Sequence, residues 1–181
     1  MDIMKQLDID HGNVARMLDI LDKQLDNVQQ MISTDFDLMR DVMYYMTRYP
    51  DRIHHPLEDL VIHKLVERDS SARELGENIL REHKGLAEKG EAFLEMLVQV
   101  TDGAMVLRED IEEVGRNYVT FLRAHMEKED ERLFPLAEKT LNHQDWKDIA
   151  RAIERRHDPV FGPMVDDQFR ALYEFIQQQT A

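Results

Sequence analysis

Leu7, His11, Val14, Leu18, Leu21, Leu25, Val28 and Ile32 recur at steps of three and four residues. That period predicts a helix from about residue 7 to 32 with one buried face. Ser33-Thr34-Asp35 ends it and offers caps to a second helix, which opens at Phe36 and carries Val42, Tyr45 and Tyr49 inward. Pro50 and Pro56 predict a break or kink before a shorter run to about Glu67. Asp69-Ser70-Ser71 caps a third helix, about Ala72 to Val100, whose inner face reads Ile79, His83, Leu86, Phe93 and Leu97. After the turn Thr101-Asp102-Gly103, a fourth helix from about Met105 to Thr140 aligns Ile111, Val114, Tyr118, Phe121, His125, Glu129 and Arg132, with Pro135 bending its last turns. Leu141 to Asp145 reads as a loop, and the remainder as two helical pieces split by Asp158-Pro159 and Gly162-Pro163. No β-type alternation occurs. The expectation is an all-α fold: an up-down-up-down four-helix bundle over residues 1–142, with a helical extension over 143–181 packed on it.

Composition narrows the function classes. At 181 residues the chain can bury one full core, and 43% hydrophobic against 33% charged residues fits charged helices around it. A net charge of −14 repels phosphate backbones and anionic membranes, so neither nucleic acid nor a membrane surface is expected as a partner. The absence of cysteine excludes disulfides, Cys-ligated zinc and Cys-held iron–sulfur clusters. Charged and apolar residues alternate from Met1 to Asp10, unlike a signal peptide, and no run reaches the ~18 apolar residues of a membrane span. A reducing cytoplasm is the expected location. Eight histidines then need an explanation.

Two motifs place a His and a Glu four residues apart: His54-His55-Pro56-Leu57-Glu58 and His125-Met126-Glu127-Lys128-Glu129. On a helix the two side chains are one turn along and about 40° apart, so both can reach one ion, or the carboxylate can bridge to a second. His11 precedes His54 by 43 residues and His83 precedes His125 by 42. The chain thus repeats one arrangement: a lone inward His, then His-x-x-x-Glu on the next helix. In an antiparallel bundle these groups fall at similar heights, and four imidazoles and two carboxylates converge. That set suits iron, manganese or zinc, with two histidines per metal and both carboxylates shared. A single His on an apolar face is more often a core residue, and a single His-x-x-x-Glu more often a surface pair. Burying all six together without a cation, however, would cost many kcal/mol of desolvation. His55 points about 100° from His54 and reads as an extra ligand, a supporting group or a surface residue. His63 is expected to be exposed, His143 to lie in a loop, and His157 to cap or pack the tail.

This pattern resembles the hemerythrin-like, or HHE cation-binding, domains, whose signature H…HxxxE…H…HxxxE is matched by His11, His54/Glu58, His83 and His125/Glu129. The resemblance covers about residues 7 to 140. It implies two iron ions, oxo- or hydroxo-bridged, one served by His11 and His54 and the other by His83 and His125, with Glu58 and Glu129 bridging. Oxygen-carrying hemerythrins have a further His where this chain has Ala87, and a His–Asp spacing of five where this chain has His125 and Glu129 four apart. The six-ligand set is closer to iron-sensing F-box domains and to diiron proteins of iron–sulfur repair. Ferritin-like Glu-x-x-His sites are excluded, because Leu80 and Leu122 stand three before His83 and His125. No HExxH motif occurs.

Two functional expectations follow. One is a protein that binds or senses iron, O2 or NO; the other is a diiron redox enzyme acting on NO or peroxide, or repairing iron–sulfur clusters. A plain helical bundle without metal is the third, weakest reading. The extension, with Trp146, Phe161, Phe169 and Tyr173, is expected to cover a bundle face, with a homodimer contact as the alternative.

Overall fold

The computed structural model describes residues 2–153 and 157–179, and every regular element among them is helical. The expected extension includes residues 154–156 and 180–181, which lie outside the described residues. Four arms build the bundle: α1 (Ile3–Gln29), α2 continued by α3 (Phe36–Arg48 and His55–Arg68), α4 (Arg73–Thr101), and α5 continued by α6 (Arg108–Lys128 and Phe134–Thr140). Short connections make successive arms antiparallel. Arm α1 packs on α2, α2 on α4, α4 on α5, and α5 back on α1, which closes the ring. Helices α7 (His143–Ala152) and α8 (Arg170–Gln179) follow. No described helix is long and apolar enough to cross a membrane.

Caps explain where the boundaries depart from the apolar period. Asp2 accepts from the Lys5 backbone N–H at 3.3 Å, so α1 starts at Ile3, a turn before Leu7. It stops at Gln29, leaving Ile32 half-exposed in the connection, where Met31 takes a positive φ of 56°. Arm α5 starts at Arg108, because Gly103 turns the chain at φ 89° and Met105 and Leu107 stay exposed. The loop expected over Leu141–Asp145 shortens to two residues: Asn142 and Asp145 form a capping box that starts α7 at His143.

The prolines do not break the arms. The Pro50–His54 segment is a π-turn, in which the His55 N–H reaches the Pro50 carbonyl five residues back. Glu129–Leu133 is a second, with the Phe134 N–H on the Glu129 carbonyl. Pro56 and Pro135 follow these turns at the second residue of α3 and of α6. A proline has no N–H for the carbonyl four residues back and its ring crowds that carbonyl; one extra residue in the turn relieves both problems. The extra residue also shifts the inward face. It runs Val42, Tyr45, Tyr49, then His54, Glu58, Ile62 and Leu65. In the last arm the shift brings Leu133 inside and leaves Arg132 exposed, contrary to the period read through the α5 face. On the same face Gly115, Leu122 and Leu133 are buried, whereas Val114 and Phe121 are only partly so.

The interior has two apolar clusters. One runs from Val14 to Val28 on α1 and includes Met39, Met43 and Met46, Leu86 to Leu97, and Ile111 to Leu122. The other contains Ile3, Leu7, Val61, Ile62, Leu65, Ile79, Leu133 and Ala137. Gly115 allows the close approach of α1, α4 and α5, since a Cβ there would stand 2.6 Å from Leu25 Cδ2 and 2.8 Å from Phe93 Cζ. The C-terminal segment joins both clusters: Val160, Phe169, Leu172 and Ile176 lie in the first, Ile149 in the second with Trp146 against it. The Tyr45 hydroxyl donates to Asp158 at 2.9 Å, and Arg68 pairs with buried Asp145.

Candidate metal centre

Between the two apolar clusters lies one polar layer. Each arm passes through it once: His11 stands between Leu7 and Val14, His54 and Glu58 between Tyr49 and Val61, His83 between Ile79 and Leu86, and His125 and Glu129 between Leu122 and Leu133. All six are buried, and Glu58 and Glu129 are fully so. The four arms deliver them at one height.

The Nε2 atoms of the four histidines face the two carboxylates. Glu58 Oε1 is 3.2 Å from His54 and 3.5 Å from His11, while its Oε2 is 3.5 Å from His83. Glu129 Oε2 is 3.2 Å from His125 and 3.5 Å from His11, and its Oε1 is 3.3 Å from His83. Each carboxylate therefore spans from one histidine pair to the other. The rings sort the same way, with His11 and His54 centroids 5.1 Å apart and His83 and His125 4.9 Å apart.

Behind each imidazole stands a second carboxylate, which the His-x-x-x-Glu spacing by itself does not reveal. His54 Nδ1 is 3.2 Å from Asp10, His125 Nδ1 3.0 Å from Glu82, His83 Nδ1 2.7 Å from Asp59, and His11 Nδ1 2.8 Å from Asp130. An ionised carboxylate only accepts, so each Nδ1 carries the proton and each Nε2 of a neutral ring turns its lone pair to the centre. The arrangement has a pseudo-twofold logic. Asp10, beside His11, orients His54, as Glu82, beside His83, orients His125. Asp59, beside Glu58, orients His83, as Asp130, beside Glu129, orients His11. The sequence signal was there: an acid adjoins each of His11, Glu58, His83 and Glu129. Asp10 is buried, and takes further hydrogen bonds from Gln6 Nε2 at 2.9 Å and the Tyr49 hydroxyl at 3.2 Å.

Burial opposes charge on these imidazoles, yet the carboxylates prevail. Against burial, Asp130, Glu129 and Glu58 push His11 up to about 12. His83 rises to about 10 through Asp59, Glu129 and Glu58, and His54 to about 9 through Glu58 and Asp10. Glu58, despite burial, is held well below the usual carboxylate range by His54 and His11. Glu129 is lowered by His11, His83 and His125 against burial and the charge of Glu58. The field of this layer thus demands positive charge at its middle, as protons or as metal ions.

The inner atoms point to metal. Glu58 Oε1 and Oε2, Glu129 Oε2, His11 Nε2 and His125 Nε2 are all buried without a hydrogen-bond partner. Orphaned polar atoms are rare and costly in interiors, and here they share one small volume. Donor atoms of His11, His54 and Glu58 lie within 4.8 Å of one another, and so do those of His55, Glu58, His83 and His125.

The description of the hemerythrin HHE cation-binding domain matches residues 2–137. The chain belongs to this family. Its matched span runs from the cap of α1 to Ala137 in α6 and so contains every residue of the polar layer. No curated protein and no solved structure matches the chain. As a hemerythrin-domain protein it is a cation binder, and the buried His/Glu layer is where its chemistry fits a cation.

The remaining histidines divide. His63 is exposed, with Nδ1 bonded to the Asp59 carbonyl. His143 is exposed as the first residue of α7, so its expected loop position is replaced by a helix start. His157 is exposed and lines a cavity of about 440 Å3 with Gln6, Asn13, Tyr49 and Phe161, which reaches the outer edge of the layer at Asp10 and His54. His55 is different: it is buried within the layer.

Proposed function

We propose that this hemerythrin-domain chain is a non-haem diiron protein that binds or senses iron, O2 or NO. His11 and His54 would hold one ion and His83 and His125 the other, with Glu58 and Glu129 shared between them. One observation carries the reading: two imidazole nitrogens and three carboxylate oxygens face each other, buried and partnerless, in a layer that four further carboxylates orient from behind. Imidazole with carboxylate suits iron among the common metals, and a diferrous pair supplies two electrons and coordination positions for a small diatomic ligand.

The protein's own part is to hold and to exclude. Asp10, Asp59, Glu82 and Asp130 lock the ring orientations. Two apolar clusters above and below keep bulk water from the layer. Ala87, half-buried one turn beyond His83, brings no further donor from α4, so the centre keeps room for an added ligand. Metal analysis with an optical spectrum of the aerobic protein tests the proposal. We expect about two irons per chain and a near-ultraviolet charge-transfer band. Stoichiometric zinc without iron, from iron-replete cells, would refute it.

A further inference from the structure

Among the described residues seven large apolar side chains are exposed, and five of them, Met31, Ile32, Val98, Met105 and Leu107, belong to one end of the bundle. There α1 and α4 stop and the connections to α2 and α5 begin. The two connections share that end: a recess of about 500 Å3 is walled by Thr34 and Asp35 from one and by Val100 and Thr101 beside the other. Arg116 of α5 pairs with Asp26 of α1, which sets the start of α5 beside the end of α1.

The caps of α1 and α4 show that this exposure has a cost. Both are Schellman motifs. The Met31 N–H donates to the Val28 carbonyl at 3.2 Å and the Ile32 N–H to the Asn27 carbonyl at 3.0 Å; in α4 the Gly103 N–H donates to Val100 at 3.0 Å and the Ala104 N–H to Gln99 at 2.9 Å. The residue after each cap takes a left-handed backbone, with φ 56° at Met31 and 89° at Gly103. Glycine accepts that conformation freely, whereas the Cβ of methionine crowds the neighbouring carbonyl. Met31 gains no packing in return, because it is 77% exposed. A strained and solvated apolar side chain indicates a use outside the chain.

Charge says what fits. Residues 27–37 and 98–113, which form this end, hold seven Asp and Glu against one base, Arg108. Arg40 and Arg116, just outside these stretches, pair with Asp37 and Glu112 and leave the excess acidic. Asp35, Asp102, Glu109 and Asp110 are exposed around the apolar residues. A second copy of the chain would bring the same acid, and an anionic membrane would be repelled. Flexible methionines inside an acidic rim suit an apolar stripe flanked by Lys and Arg, the face of a basic amphipathic helix.

We propose that this end of the bundle is a docking surface for a basic amphipathic helix of a partner protein. Met31, Met105 and Leu107 are its apolar anchors, and the acidic rim pairs with the basic flanks of the helix. The surface is separate from the metal layer, and the proposal stands whatever that layer binds.

The test uses the full chain and two synthetic peptides of about two heptads, one of Leu and Lys in helical spacing, the other with Glu in place of each Lys. By fluorescence anisotropy the Lys peptide should bind at least ~10-fold tighter than the Glu peptide. Met31→Ser combined with Met105→Ser and Leu107→Ser keeps every charge and should weaken the Lys peptide at least ~10-fold. Ile9→Ser with Met164→Ser removes exposed apolar residues elsewhere and should leave the affinity within about twofold. Met31→Gly alone should raise the urea midpoint and still weaken the peptide, which separates docking from folding. Equal binding of the two peptides, unchanged affinity in the triple variant, or equal weakening in the Ile9 and Met164 variant would overturn the proposal. So would a dimer in sedimentation, or flotation with neutral or anionic vesicles, that the triple variant abolishes.

Discussion

The carboxylates behind the imidazoles set the chemistry of single residues. Asp10→Asn and Glu82→Gln keep size and polarity but remove the full charge that orients His54 and His125. Each should lower iron affinity by roughly 10–100-fold without unfolding the bundle, since partners of metal-bound histidines commonly have that effect. Anaerobic Fe(II) calorimetry beside circular dichroism would show it, and unchanged affinity in both variants would mean that the pairs are only structural. Glu58→Gln should disturb both metals, because its two oxygens face different histidine pairs. His83→Ala should weaken one ion more than the other, and resolved binding steps would separate the two cases.

At the scale of an element, the interior depends on where the arms tighten and widen. Gly115 sits where α5 meets α1 and α4, and a methyl group there would strike Leu25 and Phe93. Gly115→Ala should destabilise by about 1–3 kcal/mol through overpacking. Its effect belongs to folding alone: urea denaturation should shift while iron stoichiometry stays the same. The Pro50–His54 turn carries the opposite sensitivity. Deleting exposed Arg52 would restore an α-helical count and rotate His54, His55 and Glu58 off the interior by about 100°. Iron binding should be lost in that variant, and retention of two irons would show that α3 can re-register.

For the whole molecule, metal and protons compete for the same layer. Without metal, the raised His11, His54 and His83 contribute stability that is fully present below the ordinary imidazole value, near 6.5. That contribution is lost as pH rises through about 9 to 12. The lowered Glu58 and Glu129 contribute stability present above the ordinary carboxylate value and lost as pH falls through their depressed range. With metal the upper limit reverses, because deprotonated imidazoles are the ligands and rising pH strengthens binding. Thermal melts from pH 7 to 10 should therefore show apo protein losing stability while the loaded protein holds or gains it. At pH 7 loading should raise the melting temperature by several degrees, since a thousandfold excess over Kd adds about 4 kcal/mol. Parallel apo and loaded profiles would contradict this account.

The period of apolar residues alone determined that the chain is all-helical, that four arms form a bundle, and that His11, His83 and His125 turn inward, whereas His54 and Glu58 were marked by their spacing and take their inward face from the widened turn before them. Helical spacing is a local property, and a polar residue interrupting a clean apolar face is visible without a fold. The caps at Asn142 and Asp145 are equally local, and the helix start they set at His143 lies inside the segment that reads as a loop. Other features exist only across arms. That Asp10 serves His54 instead of its neighbour His11, or Asp130 serves His11 from the last arm, follows from antiparallel packing, which brings residues 44 and 119 positions apart to one height. The π-turns were hidden because a proline is equally consistent with a break, a kink or a widened turn, and only packing on the other arms selects among them. His55 belongs to this second kind. A rotation of about 100° places it on the flank of a regular helix, and one extra residue in the preceding turn, stabilised by the surrounding bundle, brings it into the layer.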